Sequence, residues 1–420
     1  MSFIYNLLIY IVGFFLKIAS FFNKKLRLFV DGRKTVFQSL SEHIDPADKL
    51  IWFHTASLGE FEQGLPIIER IKQEYPDLKI LLTFFSPSGY EVKKNHKAAD
   101  IITYLPLDTK KNARKFLDLT RPQLAVFIKY EFWPNYLSEL RQREVPTLLV
   151  SGIFRKKQSF FKPYGAFMRK ALRSFDHFFV QDQNSKELLN SIGFSNITIS
   201  GDTRFDRVNE ILSRDNSLPF IEEFKQDRLC IVAGSSWPED EALLVDFINR
   251  SDSEKIKFVI APHNIKPAQI SQLSSAIEKK TVLFSEMEGK DLSSFDVFIA
   301  DTIGILTKIY SYADIAYVGG GMGNSGLHNT LEPAVFGIPV VIGKNYSNFK
   351  EATDLVKLGG IVSISNGNSF NDQLSQLTEN REYREKCGKI CGDYVSENTG
   401  ASIQILSYIR TLFKNKLSNQ

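Results

Sequence analysis

Short apolar runs alternate with stretches of helical spacing along most of the chain. Leu50–Phe53, Lys79–Phe84, Ile101–Leu105, Leu124–Ile128, Thr147–Val150 and His177–Gln181 read as strands. The rhythm restarts with Leu229–Ala233, Lys257–Ala261, Thr281–Phe284, Val297–Ala300, Ile315–Val318 and Val340–Ile342. Buried strands alternating with helices imply βαβ units, so the pattern predicts two α/β halves, each built on a parallel sheet. Polar residues from Asn209 to Asp227 read as the connection between them, and a final helix is expected over 380–414. The divisions are 1–25, 26–215, 216–385 and a C-terminal helical segment 386–420 expected to pack back across the cleft between the halves.

The first division differs from the rest. Phe3 to Phe22 is almost wholly apolar, with Lys17 its only charge, and Lys24, Lys25, Arg27, Arg33 and Lys34 follow at once. Its length suits a bilayer-spanning helix, and basic flanks favour the cytoplasmic side. It has neither a basic start nor a small-residue cleavage site, against a cleaved signal. The alternative is an amphipathic helix lying in the membrane interface or packed on the protein.

At 420 residues the chain exceeds one ordinary core, in keeping with two to three domains. A net charge of only +4 means that an anionic partner must be met by local clusters, not by the whole surface. One such cluster mixes basic and aromatic residues over 153–175, among them Phe154, Lys156, Phe160, Arg169 and Arg173. It suits a membrane surface or a phosphorylated lipid better than nucleic acid once the N-terminal apolar segment is considered. Three cysteines, Cys230, Cys387 and Cys391, are too few for a disulfide framework and fit a reducing compartment. Cys387 and Cys391 read as helix-packing thiols, and no metal-ligand cluster is visible.

Chemistry-bearing residues gather after the strands. His54-Thr-Ala-Ser-Leu-Gly-Glu60 follows the first, and there Glu60 reads as a cleft carboxylate or as a residue completing a helix start. Ser86-Pro-Ser-Gly89 and Glu131-Phe-Trp-Pro134 follow two others. In the second half Gly319-Gly-Gly-Met-Gly-Asn-Ser-Gly326 matches the dinucleotide fingerprint formally, through Gly321, Gly323 and Gly326. That fingerprint should open a helix directly. Here His328-Asn-Thr-Leu-Glu-Pro333 intervenes, so the helix is expected to begin after Thr330 as its N-cap. Glycines followed by free amides suggest a phosphate site, with Glu332 either accepting from ribose hydroxyls or complementing the helix dipole. His263 in Ala261-Pro-His263 sits at the same rim.

Together, His54-x-Ala-Ser-x-Gly-Glu60, Ser86-Pro-Ser-Gly-Tyr90, Glu131-Phe-Trp-Pro-Asn135, Gly201-Asp-x-Arg-Phe-Asp206, Ala261-Pro-His263, Gly319-Gly-Gly321 and His328-Asn-x-Leu-Glu-Pro333 resemble the 3-deoxy-D-manno-octulosonic acid (Kdo) transferases of Gram-negative bacteria. The resemblance spans nearly the whole chain. It implies a GT-B glycosyltransferase, two Rossmann-like domains with an N-terminal membrane-anchor helix. The reaction implied is inverting transfer of Kdo from CMP-Kdo to a phosphorylated lipid A precursor, at the cytoplasmic face of the inner membrane. No cofactor beyond the CMP-Kdo donor and no nucleic-acid partner is implied. The family's general base falls on Glu60 and its transition-state-stabilising positions on Glu131 and Arg204. Its nucleotide contacts fall on Pro262 and His263, on Ile303, Gly304 and Ile305, and on Asn329, Thr330, Leu331 and Glu332. Many members carry Lys at the Arg204 position and Gly-Glu at Gly304-Ile305. The rival readings are another nucleotide-sugar GT-B enzyme, an NAD-dependent oxidoreductase using the Gly321 loop, and a membrane-tethered scaffold.

Overall fold

The computed structural model describes residues 2–252 and 254–418, and the chain divides into two units. The first comprises Met1–Arg207 together with Thr399–Gln420, and the second Val208–Asn398.

The first unit is a seven-stranded, all-parallel sheet: β1 Leu50–Thr55, β2 Lys79–Phe84, β3 Ile101–Tyr104, β4 Leu124–Ile128, β5 Thr147–Gly152, β6 His177–Val180 and β7 Ile197–Ile199, in the order β3-β2-β1-β4-β5-β6-β7. Side chains alternate between faces along a strand. In β1, Leu50 and Trp52 therefore pack in one core with Leu81, Tyr104, Phe127 and Tyr136. Ile51 and Phe53 enter the other, with Phe61, Ile68 and Val126. Being buried on both faces is what makes these strands continuous apolar runs. The second core is completed by Ile405, Leu406 and Ile409 from the helix Ala401–Ser418.

The expected single helix over 380–414 is two. Arg381–Glu397 belongs to the second unit, Ala401–Ser418 to the first, and Gly400 turns the chain at φ +103. That left-handed conformation favours glycine, and it ends the helical path.

The helix Ser2–Ala19 is long and apolar enough to cross a membrane. One stripe of it faces the first unit: Tyr5 Oη donates to Asp108 Oδ2 at 2.8 Å, and Asn6 Oδ1 accepts from the Lys110 amide at 3.1 Å. The outward stripe, including Phe3, Leu7, Phe14 and Phe15, is exposed.

The second unit repeats the plan: β8 Leu229–Ser236, β9 Ile256–Pro262, β10 Thr281–Leu283, β11 Val297–Ile299, β12 Ile315–Val318, β13 Val340–Gly343 and β14 Ile361–Ile364, in the order β10-β11-β9-β8-β12-β13-β14. The stretch Asn209–Asp227 is not all connection, since Pro219–Lys225 is helical. Cys387 and Cys391 are buried in the helix Arg381–Glu397, and Cys391 Sγ donates to the Gly360 carbonyl at 3.2 Å. In the basic-aromatic stretch, Phe154 and Phe160 turn into the core beside Phe132, which removes them as a stacking surface.

Candidate active site

Ligands of open parallel sheets sit at the carboxyl ends of the strands where the order reverses. In the first unit that point lies between β1 and β4. Glu60 follows β1 and Glu131 follows β4.

Glu60 lies in the first turn of the helix Leu58–Glu74. Its Oε2 accepts from the Ala56 amide at 2.5 Å and the Ser57 amide also bonds it, so the carboxylate caps its own helix. Ser57, at the N-cap position, makes no side-chain cap bond. A capping carboxylate is usually stabilised in its charged form. Here burial, then the neighbouring Glu131 charge, outweighs the amides and Lys129 and pushes the Glu60 carboxyl up to about 7. Glu62 belongs to a different set of contacts, pairing with Lys93 and Arg207.

Glu131 is held by a layer that its own stretch does not reveal. His54, the last ring of β1 on the Trp52 face, places Nε2 3.0 Å from Glu131 Oε2. The same oxygen accepts from Trp133 Nε1 at 2.8 Å. Behind His54, Nδ1 lies 2.8 Å from Thr83 Oγ1, which accepts from Trp52 Nε1. The chain enters this loop through Lys129 at φ +68, a left-handed residue that is not glycine and so a point of backbone strain beside the site.

Arg204 is aimed by Asp202. Its Nε and Nη2 lie 3.0 and 2.9 Å from Asp202 Oδ2, and its amide donates to Oδ1 at 2.9 Å. Gln63 Nε2 adds a bond to Oδ1 at 3.0 Å. Burial opposes ionisation of Asp202, but the Arg204 charge and these hydrogen bonds win and hold its carboxyl below the usual range. Glu60, Arg204, Asp202 and Arg155 all act on the half-buried Tyr130 phenol, so the three expected catalytic residues share one neighbourhood.

The second unit's order reverses between β8 and β12. Gly319 to Gly321 leave β12 in close contact with neighbouring backbone: a Cβ on Gly319 would meet the Ser235 carbonyl at 2.3 Å. The buried Asp240 fixes this loop, accepting from the Gly320 amide at 2.8 Å, the Trp237 amide at 3.0 Å and Tyr317 Oη at 2.6 Å. No helix opens at the glycines. The next helical residues are Leu331–Ala334, a single turn, which removes the geometry of a dinucleotide fingerprint. The expected Thr330 cap bond is absent, and its buried Oγ1 has no partner. Asn329 Oδ1 accepts from the Leu331 amide at 3.2 Å instead. One turn sums few peptide dipoles, so the dipole argument for Glu332 is weak. Glu332 instead accepts from Asn329 Nδ2 at 3.0 Å and Thr307 Oγ1 at 3.2 Å.

Thr307 lies just past Ile303-Gly304-Ile305, whose Ile303 is exposed. His263 stacks on Trp237 with ring centroids 4.5 Å apart and tilts against His328 at 4.6 Å, while Trp237 Nε1 donates to His328 Nε2 at 3.0 Å. Burial lowers the pKa of both imidazoles, so at neutral pH the layer is uncharged. Pro262, His263, Ile303–Ile305 and Asn329–Glu332 thus line one end of the second sheet, together with Trp237, Asp240 and His328.

Residues 31–207 match the family profile described as 3-deoxy-D-manno-octulosonic-acid transferase (kdotransferase). A 3-deoxy-D-manno-octulosonic acid transferase of Aquifex aeolicus is 30% identical over 83% of this chain and 92% of its own length. The chain belongs to the Kdo transferase family. The Haemophilus influenzae Kdo transferase is 28% identical over 87% of each chain. Membership makes the protein a glycosyltransferase that moves Kdo.

Among solved structures, UDP-GlcNAc 2-epimerase of Neisseria meningitidis bound to UDP-GlcNAc aligns with a TM-score of 0.60 at 15% identity, covering 86% of this chain and all of that one. Acinetobacter baumannii MurG aligns with a TM-score of 0.54 at 11% identity, covering 87% and 99%. These likenesses concern the fold, which is GT-B.

Proposed function

We propose that this Kdo transferase takes its sugar from CMP-Kdo and adds it to a phosphorylated lipid A precursor, with inversion, during lipopolysaccharide synthesis. Glu60 is the general base. A sugar hydroxyl is a poor nucleophile at neutral pH, and a carboxyl titrating near 7 is matched to removing its proton as the new bond forms. The placement of the buried Glu60 carboxylate just after β1, on the Ala56 amide and near Glu131, is the observation that carries the reading, and the raised pKa follows from it.

Glu131, held by His54 and Trp133, and Arg204, aimed by Asp202, stabilise charge in the transition state. CMP leaves with the electron pair of the broken sugar–oxygen bond. Pro262, His263, Ile303–Ile305 and Asn329–Glu332 hold the CMP moiety, with Glu332 on ribose hydroxyls. The two Rossmann-like halves divide the work, with acceptor chemistry in the N-terminal and donor binding in the C-terminal one, and the last division, 386–420, is shared between the two units. The exposed stripe of Ser2–Ala19 and the basic residues after it attach the enzyme to the cytoplasmic face of the inner membrane.

The test is incubation with CMP-Kdo and lipid A precursor, followed by mass spectrometry of the lipid. Addition of Kdo with release of CMP is expected. A lipid unchanged by CMP-Kdo but modified from another nucleotide sugar would overturn the donor assignment.

A further inference from the structure

An apolar groove of about 450 Å³ runs along the inner stripe of the first helix. Ile9 and Leu16 from that helix, Phe29 and Val30 from the helix Lys24–Asp31, and Phe37 and Leu107 line it, with Lys17, Arg33 and Lys34 among the lining cations. The volume falls within the range of pockets that hold small ligands, roughly 300–1,000 Å³. Gly13 leaves it open; a Cβ there would already stand 3.1 Å from Leu107 Cδ1.

Arg33 is unusual among these residues. Its guanidinium donates to three backbone carbonyls, those of Leu105 at 2.8 Å, Phe29 at 2.8 Å and Phe85 at 2.6 Å. It stacks 3.6 Å from the Phe29 ring centroid, with the Phe85 and Tyr104 rings at 4.9 Å. None of these groups is an anion. Burial pulls its pKa down to about 9. A desolvated cation satisfied only by dipoles is stabilised further by an anion.

The wall that Arg33 braces leads to the catalytic side. Phe85 packs on Trp133 with centroids 4.5 Å apart, and Trp133 donates to Glu131. Arg33, Phe85 and Trp133 thus form a chain of contacts from the groove lining to Glu131.

We propose that this groove takes a fatty acyl chain of the lipid acceptor, with Lys17, Arg33 and Lys34 meeting an anionic group on the same lipid. This rests on the lipid-acceptor reading above. The apolar walls and cationic lining complement such a ligand, and the exposed stripe of the first helix gives it a route from the bilayer.

The test compares two acceptors in detergent micelles: the acylated lipid A precursor and its water-soluble deacylated form bearing the same phosphates. The variants are Val30→Trp, which fills the groove, and Gly13→Leu, which narrows it from the first helix and keeps the comparison available if the first variant misfolds. The KM for the acylated acceptor should rise about tenfold or more, the equivalent of roughly 1.4 kcal/mol, while kcat/KM for the deacylated acceptor stays at the wild-type value. An unchanged KM for the acylated acceptor, or an equal rise for both, overturns the assignment. So does loss of vesicle binding by the variants without an acceptor-dependent KM, which would give the groove to membrane attachment, or dissociation of a wild-type dimer, which would give it to a second copy. Wild-type enzyme that modifies neither acceptor would instead count against the proposed function.

Discussion

Replacing Glu60 by Gln separates a base from a cap, because the amide keeps the shape and can still accept from Ala56 and Ser57 but cannot take a proton. The carboxyl titrates at about 7 in the folded protein against an ordinary 4.5. Between those values the folded chain holds a proton that the unfolded chain has lost. Stability contributed by the protonated form is therefore present at low pH and lost as pH rises to about 7. Each pKa unit corresponds to about 1.4 kcal/mol, so ionising this buried group destabilises the fold by roughly 1–3 kcal/mol above neutrality. Gln escapes that loss. For a unit of this size about 1 kcal/mol moves the melting temperature by ~2–4 °C, so Glu60→Gln should melt several degrees above wild type at pH 8.5. The two should converge near pH 5. Turnover should fall by ~10²–10⁴ above neutrality, with the gap closing at acid pH where wild-type Glu60 is itself protonated, and the wild-type rise of kcat/KM through neutrality should vanish. The assays are thermal melts across pH and steady-state transfer to a soluble acceptor. A variant that melts with or below wild type at pH 8.5, or keeps more than about a tenth of turnover there, outside the range for a lost base, refutes the reasoning.

Glu131→Gln removes the second-largest influence on Glu60, so the acid limb of its residual kcat/KM profile should move to lower pH; a limb left in place would uncouple the two carboxylates. His54→Asn, which leaves Glu131 with Trp133, should lower kcat with KM nearly unchanged, and an equal loss of CMP affinity would count against a positioning role. Arg204→Lys keeps the charge but loses the fork on Asp202, so turnover should rank wild type, Lys, then Gln, the last down ~10²–10³; equal rates for Lys and Gln would sink that ordering. Leu406→Ala should destabilise the first unit by ~2–5 kcal/mol in denaturant melts, as for a large-to-small change in a core, and a loss under about 0.5 kcal/mol, the scale of surface changes, would show that the last helix does not complete that core.

The sequence exposes what repeats locally and hides what meets across the fold. Strands β1, β4 and β8 are continuous apolar runs because each is covered on both faces, and their positions follow from that. β7 and β14 lie at sheet edges, where Thr198, Val362 and Ser363 are only partly buried, so their alternation is too weak to separate from loop. Gly400 is a legible helix stop, yet it lies within a long helical period that outweighs it. Glu60 and Glu131 are visible as carboxylates after strands, but the pairing of His54 with Glu131 joins residues 77 apart, and that of Trp237 with His328 joins residues 91 apart. No local pattern carries such a pair.

The topology explains why both sets of chemical residues nonetheless fall after strands. In each unit the order reverses beside the unit's first strand, at β1 against β4 and at β8 against β12. Connections from those neighbouring strands leave in opposite directions along the sheet, opening a crevice at their carboxyl ends. A side chain just after either strand enters that crevice whatever helix follows. Glu60 can therefore serve as both cap and base: the turn that makes it accept from Ala56 and Ser57 also buries it opposite Glu131. The amides alone would lower its pKa, and it is this second consequence of the same turn that leaves the proton poised near neutrality.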